Sequence, residues 1–150
     1  KKSLDVKAQK EIFDFYLKNL YAQRVNNWDL VDTSAPTLGK WLVENPRKTL
    51  LLNLARSEKL WERRLAIMFT FAHIRAGEYG VPQHIAMILL HDDQDLIHKA
   101  VGWMLREIGN RKIDVLRTFL GKYHREMPRT MLRYAIEKLD ASERAKWMAK

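Results

Sequence analysis

Cysteine is absent from this sequence, which excludes disulfides, thiolate nucleophiles and cysteine-based zinc sites. Glycine and proline are scarce, with six and four residues among 150, and this scarcity argues against a turn-rich β-fold. No apolar run approaches the roughly 18 residues that a membrane-spanning helix needs. The five histidines are scattered, with no HExxH pair, and no glycine-rich phosphate loop or GxSxG elbow is present. We therefore expect neither a metal nor another cofactor.

Positive charge is in excess. Lys and Arg number 27 against 18 Asp and Glu, a formal net charge of +9, and the basic residues are spread along the whole chain. Such a balance favours nucleic acid as the partner over an anionic membrane surface or an acidic protein. With 47% hydrophobic residues the chain is too apolar to be disordered, and its length predicts one domain over residues 1–150.

Apolar residues recur at helical spacing throughout, and no window alternates as a strand would, so we predict an all-α fold. The first helix is expected over residues 5–21. Asn26 and Asn27 predict the start of a short helix ending near Ser34, and Pro36 predicts the first turn of a separate short helix ending near Val43. Further helices are predicted over residues 46–55, 60–75, 82–90, 96–109, 113–123 and 129–139, with a last short helix from Ser142.

A weak internal repeat is present. Arg64-x-Ala66-Ile67 resembles Arg133-x-Ala135-Ile136, and the segment around Ala100 lies between them, at spacings of roughly 33–36 residues. This period is typical of helical hairpins of the HEAT type, in which small residues lie where neighbouring helices approach closely. A basic concave face of such a solenoid would form a groove for a polyanion.

Several residues suggest chemistry. Trp28 and Asp32 are four apart on one helix face, which fits either a core tryptophan beside a solvated carboxylate or an aromatic wall for a cationic substrate. Lys99, Trp103 and Arg106 interleave an aromatic ring with cations, as where sugars stack and phosphates are held, although a buried tryptophan between extended cations has the same spacing.

Four motifs carry a resemblance to a known family: WDLVD at 28–32, LWERRLAI at 60–67, KAVGWMLREIG at 99–109 and MPRTMLRYAIEKL at 127–139. In this order and spacing they resemble the DNA alkylation repair family of alkylpurine DNA glycosylases. The resemblance implies a right-handed superhelix of HEAT-like repeats around duplex DNA. It also implies monofunctional hydrolysis of the N-glycosidic bond of cationic N3- and N7-alkylated purines, with the base not buried in a pocket.

The family's functional residues fall on four positions here. The catalytic carboxylate falls on Asp32, the two sugar-contacting tryptophans on Trp28 and Trp103, and the catalytic-site arginine on Arg64. From charge and spacing we add five expected DNA contacts: Arg63, Lys99, Arg106, Arg129 and Arg133.

The main alternative is a non-enzymatic HEAT-repeat module that binds nucleic acid or acts as a protein scaffold, because fold alone does not fix function. The resemblance further implies that residues 1–150 are the C-terminal, catalytic portion of a longer chain, since members of the family usually begin with additional helices. Helix 5–21 is then expected to expose an apolar face. We expect a monomer, acting on DNA in the cytoplasm or nucleoid.

Overall fold

A computed structural model describes residues 5–149 of the chain, and within this range all regular structure is helical. The helices are α1 (Val6–Tyr21), α2 (Trp28–Glu44), α3 (Lys48–Ala55), α4 (Leu60–Arg75), α5 (Gly80–Ile88), α6 (Asp95–Arg111), α7 (Ile113–Tyr123), α8 (Arg129–Ile136) and α9 (Ala141–Met148). The all-α prediction is confirmed for the described residues. None of these helices is both long enough and apolar enough to cross a bilayer.

Short polar side chains set several helix starts. Asp5 accepts a hydrogen bond from the amide of Ala8 at 2.7 Å and begins α1, and Asn27 accepts from the amide of Leu30 at 2.9 Å and begins α2. At the last helix the cap is Asp140, which accepts from the amide of Glu143 at 2.8 Å and lies two residues before the predicted start at Ser142. Gly77, with a φ of 77°, lies just beyond the C-cap of α4 and has the left-handed conformation that is common where helices end.

The prediction of two short helices around Pro36 is wrong. A single helix, α2, runs from Trp28 to Glu44 with Pro36 inside it. Proline in a helix interior removes one hydrogen bond and kinks the helix, but it does not always end it. Here Ala35, Gly39 and Leu42 bury one face of α2, and this packing outweighs the local preference of proline.

Four helices, α2, α4, α6 and α8, form a row in which each packs against the next, and we refer to them as the central row. Asp32 of α2 contacts Arg64 of α4, and Arg64 in turn contacts Leu96 of α6, each 32 residues further along the chain. Arg106 of α6 contacts Glu137, the residue that follows α8, a step of 31 residues. These steps are slightly shorter than the period expected from the sequence.

The helices of the central row run parallel. Asp32 contacts Arg64 near the starts of α2 and α4, and Gly39 lies against Phe69 nearer their ends. Two glycines permit the closest approaches. A Cβ on Gly39 would lie 2.5 Å from the carbonyl oxygen of Phe69, and one on Gly102 would lie 2.5 Å from that of Met131. The flanking helices α3, α5 and α7 pack against central helices, α3 and α5 against each other as well, and α1 packs against α2. Successive helical hairpins therefore stack in one direction.

Candidate functional site: an arginine-held carboxylate on the central row

The centre of the candidate site is an ion pair between neighbouring central helices. The Nε of Arg64 donates to Oδ1 of Asp32 at 2.9 Å, and its Nη2 donates to Oδ2 at 2.7 Å. The two parallel bonds fix the carboxylate in position and in rotation, which a single bond would not do. The Asp32 side chain is 15% exposed and that of Arg64 is 8% exposed. The carboxylate is therefore held rigidly, but it is still open to solvent on one side.

Arg64 has a third partner on the next helix. Its Nη1 donates to the main-chain carbonyl of Leu96 at 2.5 Å, in the first turn of α6. A guanidinium group carries five N–H donors, so two remain after these three bonds. Arg64 thus links α2, α4 and α6. This role in holding Asp32 is additional to the catalytic-site role that the resemblance implies for Arg64.

The two tryptophans lie on the helices on either side of α4. Trp28 is the first residue of α2, one turn before Asp32, and it is 60% exposed. Trp103 on α6 is partly buried against the core, and its indole N–H donates to Glu107 at 3.3 Å. The structure thus brings Asp32 and Arg64 into contact and puts each tryptophan on a helix adjacent to α4. Neither indole donates a hydrogen bond to the carboxylate.

The predicted DNA contacts differ in how free their side chains are. Arg63 bonds to the carboxylate of Asp92, with Nε at 2.6 Å, and to the carbonyls of Ser57 and Glu58. It thereby ties the turn before α6 to the start of α4. Lys99 pairs with Asp95 at 3.0 Å, and this bond raises the pKa of Lys99, which keeps the ammonium charged.

The other three predicted contacts lie towards the C-terminal end of the central row. Arg106 pairs with Glu137, the Nη1 of Arg129 donates to the carbonyl of Met148 at 2.8 Å, and Arg133 is exposed beside a cavity of about 320 Å³ between α8 and α9. Arg133 and the exposed part of Lys99 are more available to a phosphate than the half-buried Arg106.

Tyr16 of α1 is a neighbour of the site that none of the sequence motifs indicated. Its hydroxyl donates to the carbonyl of Leu30 at 3.2 Å, in the turn that carries Trp28 and Asp32. Burial raises the pKa of the Tyr16 phenol, and the negative charge of Asp32 raises it further. The phenol therefore stays protonated and remains a donor. No sequence signal distinguishes it from the other aromatic residues of α1.

Two comparisons with known proteins bear on the motifs. A comparison with curated proteins gave no significant match. A family profile described as DNA alkylation repair enzyme matches residues 2–139, which is most of the chain and includes the Asp32–Arg64 pair and both tryptophans. DNA is the substrate that this family implies. The match covers far more than half of the sequence, and the chain therefore belongs to the DNA alkylation repair enzyme family.

Proposed function

We propose that the chain is a monofunctional DNA glycosylase that hydrolyses the N-glycosidic bond of N3- and N7-alkylated purines in duplex DNA. The observation that carries the proposal is the carboxylate of Asp32. Two bonds from Arg64 hold it in place, one turn along α2 from the exposed ring of Trp28. A carboxylate that only braced two helices would not need an exposed tryptophan one turn away.

The chemistry needs few protein groups because the substrate is already activated. An N3- or N7-alkylated purine carries a positive charge, so it leaves as a neutral base without being protonated. As the bond breaks, positive charge develops on the deoxyribose. Asp32 stabilises that charge and takes a proton from the attacking water, while the faces of Trp28 and Trp103 flank the cationic sugar.

The Asp32 side chain is 15% exposed and lines neither of two sizeable cavities in the described part of the chain. Cavities of about 460 Å³ and 370 Å³ lie between α1 and α2 and between α3 and α5, and neither is lined by a proposed site residue. Enzymes that flip a base enclose it in a close-fitting pocket. We infer that the alkylated base is not enclosed and that binding energy comes from the DNA backbone, along a right-handed superhelical face formed by the central row.

The decisive experiment measures release of N7-methylguanine from a duplex that carries one such base. Asp32→Asn should lose most of the excision and still bind the duplex, whereas Asp29→Asn should retain it. Asp29 is a matched control, because it is an exposed carboxylate in the first turn of the same helix. Full activity of Asp32→Asn would exclude the carboxylate role.

Two further readouts separate this proposal from a module that only binds. The product strand should keep its abasic site until alkali cleaves it, as expected of a glycosylase without lyase action. Duplex affinity should fall steeply with salt concentration, because bound cations displace counterions from the phosphates. Binding without base release by the unmodified chain would favour the non-enzymatic alternative.

A further inference from the structure

Pro36 lies inside α2 one turn after Asp32. In a regular helix the amide of residue 36 would donate to the carbonyl of residue 32. Proline has no N–H, so the main-chain carbonyl of Asp32 lacks its helical donor. The residue that supplies the candidate catalytic carboxylate therefore also carries the one carbonyl that Pro36 deprives of its partner.

Asp32 and Pro36 lie on the side of α2 that carries the site. Residues 32 and 36 are one turn apart and share a helix face, and on this face the Asp32 carboxylate meets Arg64. Both Asp32 and Pro36 are only half-buried, so water reaches this part of the helix. Other polar groups of the turn have partners, since Asn27 caps the amide of Leu30 and Tyr16 donates to its carbonyl.

We propose that Pro36 is a positioning residue, because it frees the main-chain carbonyl of Asp32 to act with the carboxylate in orienting the attacking water. This inference rests on the proposed glycosylase function.

A water molecule has two O–H donors, and a carboxylate alone fixes only one of them. Arg64 uses one lone pair on each oxygen of Asp32, which leaves others for water. With one hydrogen on the carboxylate and the other on the carbonyl, a lone pair of the water is directed at C1′ of the sugar. The O–C1′ bond forms as the C1′–N bond breaks and its electron pair leaves with the purine. Asp32 takes one proton, and the carbonyl accepts only a hydrogen bond.

The test is Pro36→Ala, which restores the missing N–H. We expect the single-turnover rate of base release to fall about tenfold to a hundredfold, because the water loses one of its two acceptors. Duplex affinity should stay within about twofold, and the melting temperature should be unchanged or higher, since the helix gains a bond. Pro46→Ala is the control, because Pro46 is exposed in the linker between α2 and α3, and it should keep the wild-type rate.

A second variant separates the missing N–H from the proline ring. Lactic acid at position 36 replaces the amide by an ester, so this variant also lacks the N–H, but it has no ring. It should recover most of the rate of base release that Pro36→Ala loses. A lactic acid variant that releases the base as slowly as Pro36→Ala would overturn the inference. A Pro36→Ala variant with the wild-type rate of base release would do the same, as would one whose duplex affinity falls as much as its rate of base release.

Hydrogen exchange gives a readout that does not depend on activity. In Pro36→Ala the new amide should be protected from exchange, because it bonds to the Asp32 carbonyl. An unprotected amide would show that the carbonyl was not free and would overturn the inference even if base release changed. A wild-type chain that releases no base would instead refute the proposed function, whatever the exchange result.

Discussion

Replacing Asp32 by Asn should both slow base release and weaken the fold. The substitution keeps an acceptor for the Nε of Arg64 but turns an N–H towards its Nη2, where the oxygen now lies at 2.7 Å. Removing one partner of a buried ion pair costs about 3–5 kcal/mol, and one charge-assisted bond is worth about 1.5–3 kcal/mol. Because the two side chains are 15% and 8% exposed, some solvation remains, and we expect a loss of about 3 kcal/mol.

The rate of base release should fall even where the variant is fully folded. Loss of a general base, or of the electrostatic stabilisation at a reaction centre, lowers rates about 100-fold to 1,000-fold. Base release must therefore be measured at a temperature where urea unfolding shows the variant to be folded. Asp29→Asn should change the free energy of unfolding by less than about 0.5 kcal/mol.

A double-mutant cycle tests whether the pair is the cause. In Asp32→Asn with Arg64→Gln the unpaired buried cation is gone, so the combined loss should be smaller than the sum of the single losses by about 1–3 kcal/mol. Urea unfolding followed by circular dichroism at pH 7 measures all four free energies. Losses that add within about 0.5 kcal/mol would refute the reasoning, because they would show that Arg64 does not hold Asp32.

Three further predictions concern packing, pH and the sugar contact. Gly102→Ala should lower stability by about 1–3 kcal/mol in urea unfolding, because its Cβ would meet a backbone carbonyl at 2.5 Å, whereas Gly121→Ala, with open space around it, should raise stability by about 0.5–1 kcal/mol. Burial lowers the pKa of His73, so as the pH falls the unfolded chain binds a proton before the folded chain does. The melting temperature should therefore decrease as the pH is lowered past about 6.5, and His73→Leu should make this decrease smaller. Trp103→Ala should slow base release more than it weakens binding to undamaged duplex, and equal losses in the two assays would make Trp103 a purely structural residue.

The sequence predicted most helices because their apolar spacing and their ends are local signals. The range predicted for the helix over residues 113–123 agrees with α7, and Gly77 marks the end of α4. Pro36 misled the prediction because a local rule for proline does not include the packing of α2 against α4. That packing depends on residues about 30 positions away, such as Phe69 against Gly39.

The residues of the site were predicted from the sequence, but the bonds between them were not. The motifs indicated Asp32 and Arg64 separately, and nothing in their letters showed that the two side chains bond to each other. The helical period places them on adjacent helices, but the bidentate geometry and the third bond to Leu96 depend on the relative rotation of those helices. Arg63 is the opposite example, since its charge suggested a DNA contact and the structure shows it bonded to Asp92.

The 32-residue steps from Asp32 to Arg64 and from Arg64 to Leu96 limit how this chain can change length. One residue inserted into α4 before Arg64 would rotate the guanidinium by about 100° around the helix axis and separate it from both partners. The same insertion in the linker over residues 45–47 would be taken up by the loop and leave the helix faces aligned. Among relatives of this chain, insertions and deletions should therefore accumulate in the linkers, while the first two turns of α2, α4 and α6 keep their length.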